Sequence, residues 1–268
     1  MSIMSIMCCI YVPEGIIMAA DSRITRTKPT KTVDSSPTDG KENQKIQFRT
    51  TYTLSDNAQK VLLIKKAGVG VSFCGDAMID GMTVSDFIRK FEIDRVDEDD
   101  TTEIVSQKLL DYYQGQGTHF FVCGYDNDIP YVYDVYNKCI QRSNIINTPI
   151  PEEAAADPTI GTPENLKTNN AVKLSSETPS IRYGATWAGQ KTAITKIVNN
   201  PPIMNADWNT MQLKDAIDFA EFLIDTTIKY ERFSDDIQTC GGDIDILVIT
   251  KDDAFWKQHK IYNPSQKS

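Results

Sequence analysis

Histidine is scarce in this chain of 268 residues, which contains only His119 and His259. Protein zinc sites usually draw on several histidines or on closely spaced cysteine pairs, and none of the six cysteines stands in a Cys-x-x-Cys pair. Most of these cysteines lie inside apolar, strand-like runs, which favours buried, reduced thiols of a cytoplasmic protein. The sequence therefore predicts no metal site and no cofactor, and it disfavours a disulfide framework.

Long apolar runs and an excess of positive charge are missing as well. No stretch reaches the roughly 18 apolar residues of a membrane-spanning helix. The apolar start, MSIMSIMCCIYV, lacks the basic region and the cleavage site of a signal peptide. The formal net charge of −9 disfavours nucleic acid and anionic membranes as partners, because phosphate contacts need patches of Lys and Arg. We expect a soluble protein with a single domain over residues 1–268.

Short apolar runs alternate with helical stripes along the chain. Strands are predicted at residues 6–12, 16–20, 61–64, 69–74, 119–125, 131–136, 139–144 and 244–249. Helical periodicity predicts helices around 84–91, 102–114, 184–199 and 213–229. Two polar stretches, 26–50 and 146–179, have no hydrophobic period and are predicted as long loops or insertions. This order of elements indicates an α/β (α+β) fold with two stacked antiparallel sheets and helices outside them.

Four short motifs follow one another in the sequence. Residues 15–25 read GIIMAADSRIT, residues 57–61 read NAQKV, residues 72–77 read SFCGDA and residues 240–245 read CGGDID. In this order they resemble the motifs of the proteasome β-subunit-like N-terminal nucleophile (Ntn) hydrolases, and the chain looks like a divergent bacterial-type member. Each motif is short, but four matches in register are fairly specific.

The resemblance implies a fold, an activity and an assembly. The fold would be a four-layer αββα sandwich of two antiparallel sheets flanked by helices. The activity would be hydrolysis of amide bonds, in peptides above all, by the first residue of the mature chain, whose own α-amine takes the proton. Such proteins usually form homo-oligomeric rings, and the sequence does not identify an unfoldase partner.

Three residues near the start are candidates for that first residue, because Ser2, Ser5 and Cys8 each follow a methionine. Counting back from Asp21 by the spacing of the family lands on Ser5. Since Met4 precedes Ser5 where the family has glycine, we expect translation from Met4 and removal of that methionine rather than self-cleavage. A plain strand residue without activity is the alternative reading of Ser5.

The remaining roles are carried over by position. Asp21 and Lys60 would form the ion pair that supports Ser5, and Gly75 would donate its backbone N–H to the oxyanion. Lys45, in the segment QKIQF, competes with Lys60 for the role of the lysine. The resemblance also implies substrate contacts for Thr25, Phe73 and Ala77 and a supporting role for Arg23.

The sequence also departs from the family pattern. Serine replaces the usual threonine nucleophile, and Ala188 stands near the place of a later catalytic serine. Cys240 replaces the serine of the Ser-Gly-Gly motif, and the aspartate expected three residues earlier is Ile237, with Asp236 one position away. Two alternative functions follow: a catalytically inactive assembly protein with the same fold, and an amidase acting on a small amide such as an acylated amino acid.

Overall fold

The computed structural model describes residues 5–34, 45–115, 117–145, 180–198, 206–235 and 237–260. Its first two strands, β1 (Ile6–Val12) and β2 (Gly15–Ala20), form an antiparallel hairpin in which every residue is buried. Strands that are covered on both faces are apolar throughout instead of alternating with polar residues. This explains why both segments appear in the sequence as continuous apolar runs.

Most of the strands belong to two five-stranded antiparallel sheets. The first sheet has the order β12-β1-β2-β13-β14, where β12 is Gly184–Gly189, β13 is Asp245–Ile249 and β14 is Ala254–Gln258. The second sheet has the order β11-β10-β9-β6-β5. Its strands are β5 (Val61–Ile64), β6 (Val69–Gly75), β9 (Thr118–Asp126), β10 (Ile129–Tyr136) and β11 (Cys139–Arg142).

Four helices accompany the sheets in the described part of the chain. They are α1 (Val84–Arg95), α2 (Thr102–Tyr112), α3 (Thr192–Val198) and α4 (Leu213–Arg232). The Thr83 side chain caps α1 by accepting a hydrogen bond from the Asp86 amide at 3.1 Å, as the Thr-x-x-Asp pattern predicts. None of the helices within the described ranges is long and apolar enough to cross a membrane.

Three clusters of buried side chains hold these elements together. One joins α1 and α2 to the second sheet, with Phe91 and Phe120 at its centre. Another joins α3 and α4 to the first sheet, and it includes Leu223. The third contains residues from both sheets, such as Met7 of β1 and Phe121 of β9. The two sheets therefore share one buried cluster, and each sheet also packs with two of the four helices in a mixed α+β fold.

The predicted helix at 184–199 is wrong in its first half. Residues Gly184–Gly189 form β12, which pairs antiparallel with β1, and α3 begins only at Thr192. A six-residue run of Gly, Ala, Thr and Trp has no strong preference of its own. The open edge of β1 offers it a complete hydrogen-bond ladder, and this tertiary contact decides its conformation.

The polar stretch at 26–50 is also more ordered than predicted. Strands β3 (Ile24–Asp34) and β4 (Lys45–Ser55) form a separate two-stranded antiparallel sheet. Threonine is frequent in both strands and favours extended backbone, and the hydroxyls of Thr27 and Thr51 lie 2.7 Å apart across the pair. Strands β7 (Met78–Ile79), β8 (Met82–Thr83) and β14 were not predicted either, and the predicted loop at 146–179 lies outside the described residues.

Candidate active site

Ser5 lies directly before β1, at the point where the first and second sheets meet. Its side chain is buried, and its carbonyl accepts a hydrogen bond from the Gln190 amide at 2.7 Å. Gly189 has a φ of +100°, and a Cβ there would come within 2.1 Å of the Ser5 carbonyl oxygen. Only glycine lets β12 approach this closely, and the close approach fixes the backbone of Ser5.

The Lys60 ammonium contacts Ser5 directly. Its Nζ donates to Ser5 Oγ at 2.7 Å, to Asp21 Oδ1 at 2.7 Å and to the carbonyl of Arg23 at 2.6 Å. An ammonium has three N–H donors, and these three acceptors match them. The side chains of Lys60 and Asp21 are 3% and 0% exposed, so this ion pair is desolvated. Removing either partner would leave a buried charge without compensation.

Asp21 follows the last residue of β2 and is held on both carboxylate oxygens. Oδ1 also accepts from the Ile6 amide at 3.1 Å, and Oδ2 accepts from the amides of Arg23 at 3.1 Å and Gly241 at 3.0 Å. Three backbone N–H groups and one ammonium therefore fix its orientation. The contact with Gly241 explains why the Gly-Gly motif belongs to the site.

Arg23 supports the site through its backbone and its side chain. The guanidinium donates to both oxygens of Asp56, at 2.6 and 3.0 Å. These hydrogen bonds lower the pKa of Asp56 and raise the pKa of Arg23. The pair joins the loop after β2 to the segment before Lys60, and the supporting role of Arg23 stays a prediction. The direct contact of the Arg23 carbonyl with Lys60 was not predicted.

A cavity of about 500 Å³ opens beside Ser5. Its lining includes nearly all residues predicted for the site: Ser5, Arg23, Thr25, Lys60, Phe73, Gly75 and Ala77. Asp21 lies behind Lys60, and it is not part of the lining. Polar residues to which the sequence assigned no role, among them Gln59, Asp76, Asp86 and Arg89, line the cavity as well. The cavity therefore combines a serine hydroxyl, an ammonium and polar walls.

Gly75 ends β6 at the cavity wall with a φ of +110°. A Cβ at this position would lie 2.1 Å from the carbonyl oxygen of Gly117. Both the backbone conformation and the crowding require glycine here. Gly75 is therefore more than a turn residue before α1, because it shapes the wall next to Ser5.

Lys60, one of the two candidate lysines, contacts Ser5 directly. Lys45 begins β4 opposite Asp34, at the end of the β3–β4 pair far from Ile24. Its side chain lies outside the described part of the chain. The contacts of Lys60 therefore favour it over Lys45 as the lysine of the site.

Searches of protein-family models and of curated proteins find no match to this chain. The case for a function therefore depends on the residues themselves.

The thiols near Ser5 are poor nucleophiles. Cys8 packs among residues of α4, with its Sγ 4.0 Å from the Ala220 carbonyl, and burial raises its pKa far above the ordinary value. Burial also raises the pKa of Cys74 to about 12 and that of Cys240 well above the usual range. Because the thiolate is the reactive form, these side chains stay protonated and inert near neutral pH.

The later positions of the family pattern lack their catalytic side chains. Ala188 pairs with Met7 across the β1–β12 ladder and brings no hydroxyl. Ile237 is 55% exposed, and Asp236 lies outside the described residues. The site therefore depends on Ser5, Lys60 and Asp21 without a second serine at these positions.

Glu231 is a residue of the site region that sequence reasoning missed. It is buried at the end of α4 and accepts hydrogen bonds from the Thr239 amide at 2.7 Å, the Thr239 hydroxyl at 2.8 Å and the Cys240 amide at 2.6 Å. It thereby holds the loop that leads to Gly241, which in turn binds Asp21. The only signal in the sequence is an acidic residue in line with the apolar face of α4.

No group of three or more His, Cys, Asp or Glu side chains suited to a metal ion occurs within the described ranges.

Proposed function

We propose that this chain is a proteasome-like N-terminal serine hydrolase that cleaves amide bonds in peptides. The observation that carries the proposal is the buried chain of hydrogen bonds from Asp21 through Lys60 to Ser5 Oγ, at the wall of a polar cavity. Burying an ion pair costs free energy unless its charges are well paired and their remaining hydrogen-bonding groups are satisfied. Here it is satisfied, and its ammonium points at a hydroxyl.

In this mechanism the mature chain begins at Ser5. Its neutral α-amine takes the proton from Oγ, while Oγ forms a bond to the amide carbonyl carbon. The Lys60 ammonium, 2.7 Å from Oγ, stabilises the negative charge that develops on the attacking oxygen. The N–H of Gly75 would serve the carbonyl oxygen as it becomes an oxyanion.

The second half of the reaction regenerates the enzyme. The protonated α-amine gives its proton to the leaving nitrogen as the C–N bond breaks, and this leaves an ester on Ser5. A water molecule then loses a proton to the same amine and attacks the ester, which releases the acid and restores the hydroxyl. No cofactor enters the proton or electron balance of these steps.

The α-amine is a better candidate for the base than Lys60. All three N–H donors of Lys60 have acceptors, and one of these acceptors is a carboxylate. An ammonium in this arrangement has no lone pair with which to take a proton. An unperturbed α-amine titrates near ~7.7–8.0 and can act at neutral pH.

The proposal includes the fold family and the assembly. Two packed antiparallel sheets with helix pairs on their outer faces agree with a four-layer αββα Ntn arrangement. Exposed aromatic side chains at the end of α4, Tyr230 at 44% and Phe233 at 83%, are suited to contacts within a homo-oligomeric ring.

The test uses chains that differ only at the start. One begins at Ser5, one retains Met4, and one begins at Ser5→Ala, which keeps a free amine. A library of peptide amides and acylated amino acids measures turnover, a β-lactone probe followed by peptide mapping locates the nucleophile, and native mass spectrometry gives the assembly. We expect turnover and labelling at Ser5 only in the first chain, with a rate that rises through an apparent pKa near or below ~8.

Each of the other possible outcomes would support a different interpretation of the site. Equal turnover by the chain that retains Met4 would exclude the α-amine as base. Labelling at Cys8 would indicate a cysteine nucleophile, and preference for acylated amino acids would indicate a small-amide amidase. An assembled, Ser5-first chain with neither turnover nor labelling would be an inactive assembly protein.

A further inference from the structure

A second buried Lys–Asp pair lies behind the loop that carries Asp21. Lys260 Nζ contacts both Asp245 Oδ2 and Ser22 Oγ, and the backbone amide of Lys260 donates to Asp245 Oδ1 at 3.2 Å. The side chains of Lys260 and Asp245 are 6% and 1% exposed. The proposed chemistry does not use this pair, although burying it is costly.

The residue before it, His259, reaches the other half of the site. Its Nδ1 lies 3.3 Å from Asp245 Oδ1, and its Nε2 lies 3.4 Å from Gln59 Nε2. With the proton on Nδ1, the ring donates to Asp245 and accepts from Gln59. The ring also stacks on Trp256 of β14, with centroids 4.0 Å apart.

These contacts fall directly beside the two halves of the catalytic ion pair. Lys260 binds Ser22, the neighbour of Asp21, and His259 contacts Gln59, the neighbour of Lys60. The backbone of Ser22 connects the Asp21 loop to two other segments of the site. Its amide donates to the Gly241 carbonyl at 2.9 Å, and its carbonyl accepts from the Ala58 amide at 3.0 Å.

We infer that His259 and Lys260 form a C-terminal clamp that presses the Asp21 loop and the Lys60 segment together, with Lys260 as a positioning residue of the proposed hydrolase. The clamp holds the Lys60–Asp21 and Lys60–Ser5 distances from the side away from the cavity. Neither His259 nor Lys260 lines the cavity itself, although His259 contacts Gln59 of its wall. The expected loss of activity rests on the proposed function, whereas the expected loosening of the two site segments does not require turnover.

The test combines hydrogen exchange with kinetics on the full chain. Lys260→Met alone leaves the Asp245 carboxylate buried without its ammonium partner, so the main variant is the double substitution Lys260→Met with Asp245→Asn. Lys257→Met, at an exposed position of β14, is the matched control. Exchange is followed by mass spectrometry in peptides covering 20–23, 57–61 and β9.

We expect amide exchange in 20–23 and 57–61 of the double variant to accelerate by roughly tenfold or more, with β9 unchanged. On a peptide amide we expect kcat to fall by roughly tenfold or more, with KM changed less than about twofold. Lys257→Met should alter neither quantity.

Two results would overturn the clamp. One is unchanged exchange in both site segments, and the other is equal acceleration in β9, which would mean general destabilisation. If the wild-type chain shows no turnover but the double variant still loosens only the site segments, the clamp stands and the proposed function fails. If exchange responds but kcat of an active enzyme does not, Lys260 does not position the catalytic groups.

Discussion

Lys60 connects three separate parts of the chain through one ammonium group. Lys60 itself lies in the segment directly before β5. Its ammonium donates to Ser5 before β1 and to Asp21 and the Arg23 carbonyl in the loop after β2. Because the group is desolvated, its charge acts on Ser5 Oγ with little screening by water. The lysine is therefore both a structural tie and the source of the field at the proposed nucleophile.

Replacing this lysine should affect the rate far more than replacing its competitor. We expect Lys60→Ala to lower kcat/KM on a peptide amide by at least ~10²-fold, because the developing charge on Oγ loses its cation. Lys45→Ala should change the rate less than about twofold. Steady-state kinetics on both variants give the comparison, and the reverse order would show that Lys45 serves the site.

The effect of Lys60→Ala on the rate must be distinguished from its effect on the stability of the fold. Lys60→Ala leaves the Asp21 carboxylate buried, at a cost of about 3–5 kcal/mol in the free energy of unfolding. The double variant Lys60→Met with Asp21→Asn removes both charges and should recover much of that stability without recovering activity. A double variant as unstable as Lys60→Ala would show that the charge is not the cause.

Gly75 allows a second prediction at a single position. We expect Gly75→Ala to lower the free energy of unfolding by at least about 2 kcal/mol, since its Cβ would meet the Gly117 carbonyl. Gly68 also has a positive φ, of +66°, but has nothing within 4 Å of its Cβ position. Gly68→Ala should therefore cost only about 1 kcal/mol. Urea unfolding measures both, and equal costs would contradict the crowding argument.

Helix α4 contributes to the site through its last turn. The buried carboxylate of Glu231 orders residues 239–240, and the next residue, Gly241, binds Asp21. The packing of the apolar face of α4 is thus connected, through the Glu231 side chain, to the backbone that orients the Asp21 carboxylate.

Removing that side chain should loosen the loop and lower the stability of the fold. We expect Glu231→Ala to cost about 2–4 kcal/mol of unfolding free energy, because the amides of Thr239 and Cys240 lose a charged acceptor. Glu221→Ala, on the partly exposed side of the same helix, should cost less than about 0.5 kcal/mol. Thermal unfolding of both variants tests this, and similar losses would mean that Glu231 acts only as a helix residue.

The packing of the two sheets and their helices buries five of the six cysteines and leaves Cys139 exposed. Two of the buried thiols, Cys9 of β1 and Cys123 of β9, meet in the cluster between the sheets, with their sulfur atoms 3.5 Å apart. Burial and this hydrogen bond raise the pKa of Cys9. Access of reagents to these thiols therefore requires separation of the sheets.

Thiol labelling should consequently report on the whole fold. In the native protein at pH 8 we expect iodoacetamide to modify one of the six cysteines, Cys139, within minutes, and all six in denaturant. Cys139→Ser should abolish the fast labelling. Mass spectrometry of the labelled chain gives the count, and fast native labelling of Cys9 would contradict the packing of the sheets.

Much of the molecule follows from local patterns. Sequence periodicity predicts the continuously apolar strands of both sheets, the capped helix α1 and the amphipathic helix α4. It does so because the spacing of apolar side chains reflects which faces are buried. The resemblance of the four motifs also implied a site of Ser5, Asp21 and Lys60, and Lys60 donates hydrogen bonds to both of the other two.

Other features are set only by contacts between distant segments. Gly184–Gly189 is a strand because β1 has an open edge, and β3 and β4 are strands because each supplies the other's hydrogen bonds. The roles of Glu231 and Lys260 depend on loops that lie next to them in space and far from the Asp21 motif in sequence. Buried faces determine the spacing of apolar residues, and the sequence alone therefore predicts them. A hydrogen bond between distant segments produces no periodic pattern in either segment, so only the tertiary structure decides these contacts.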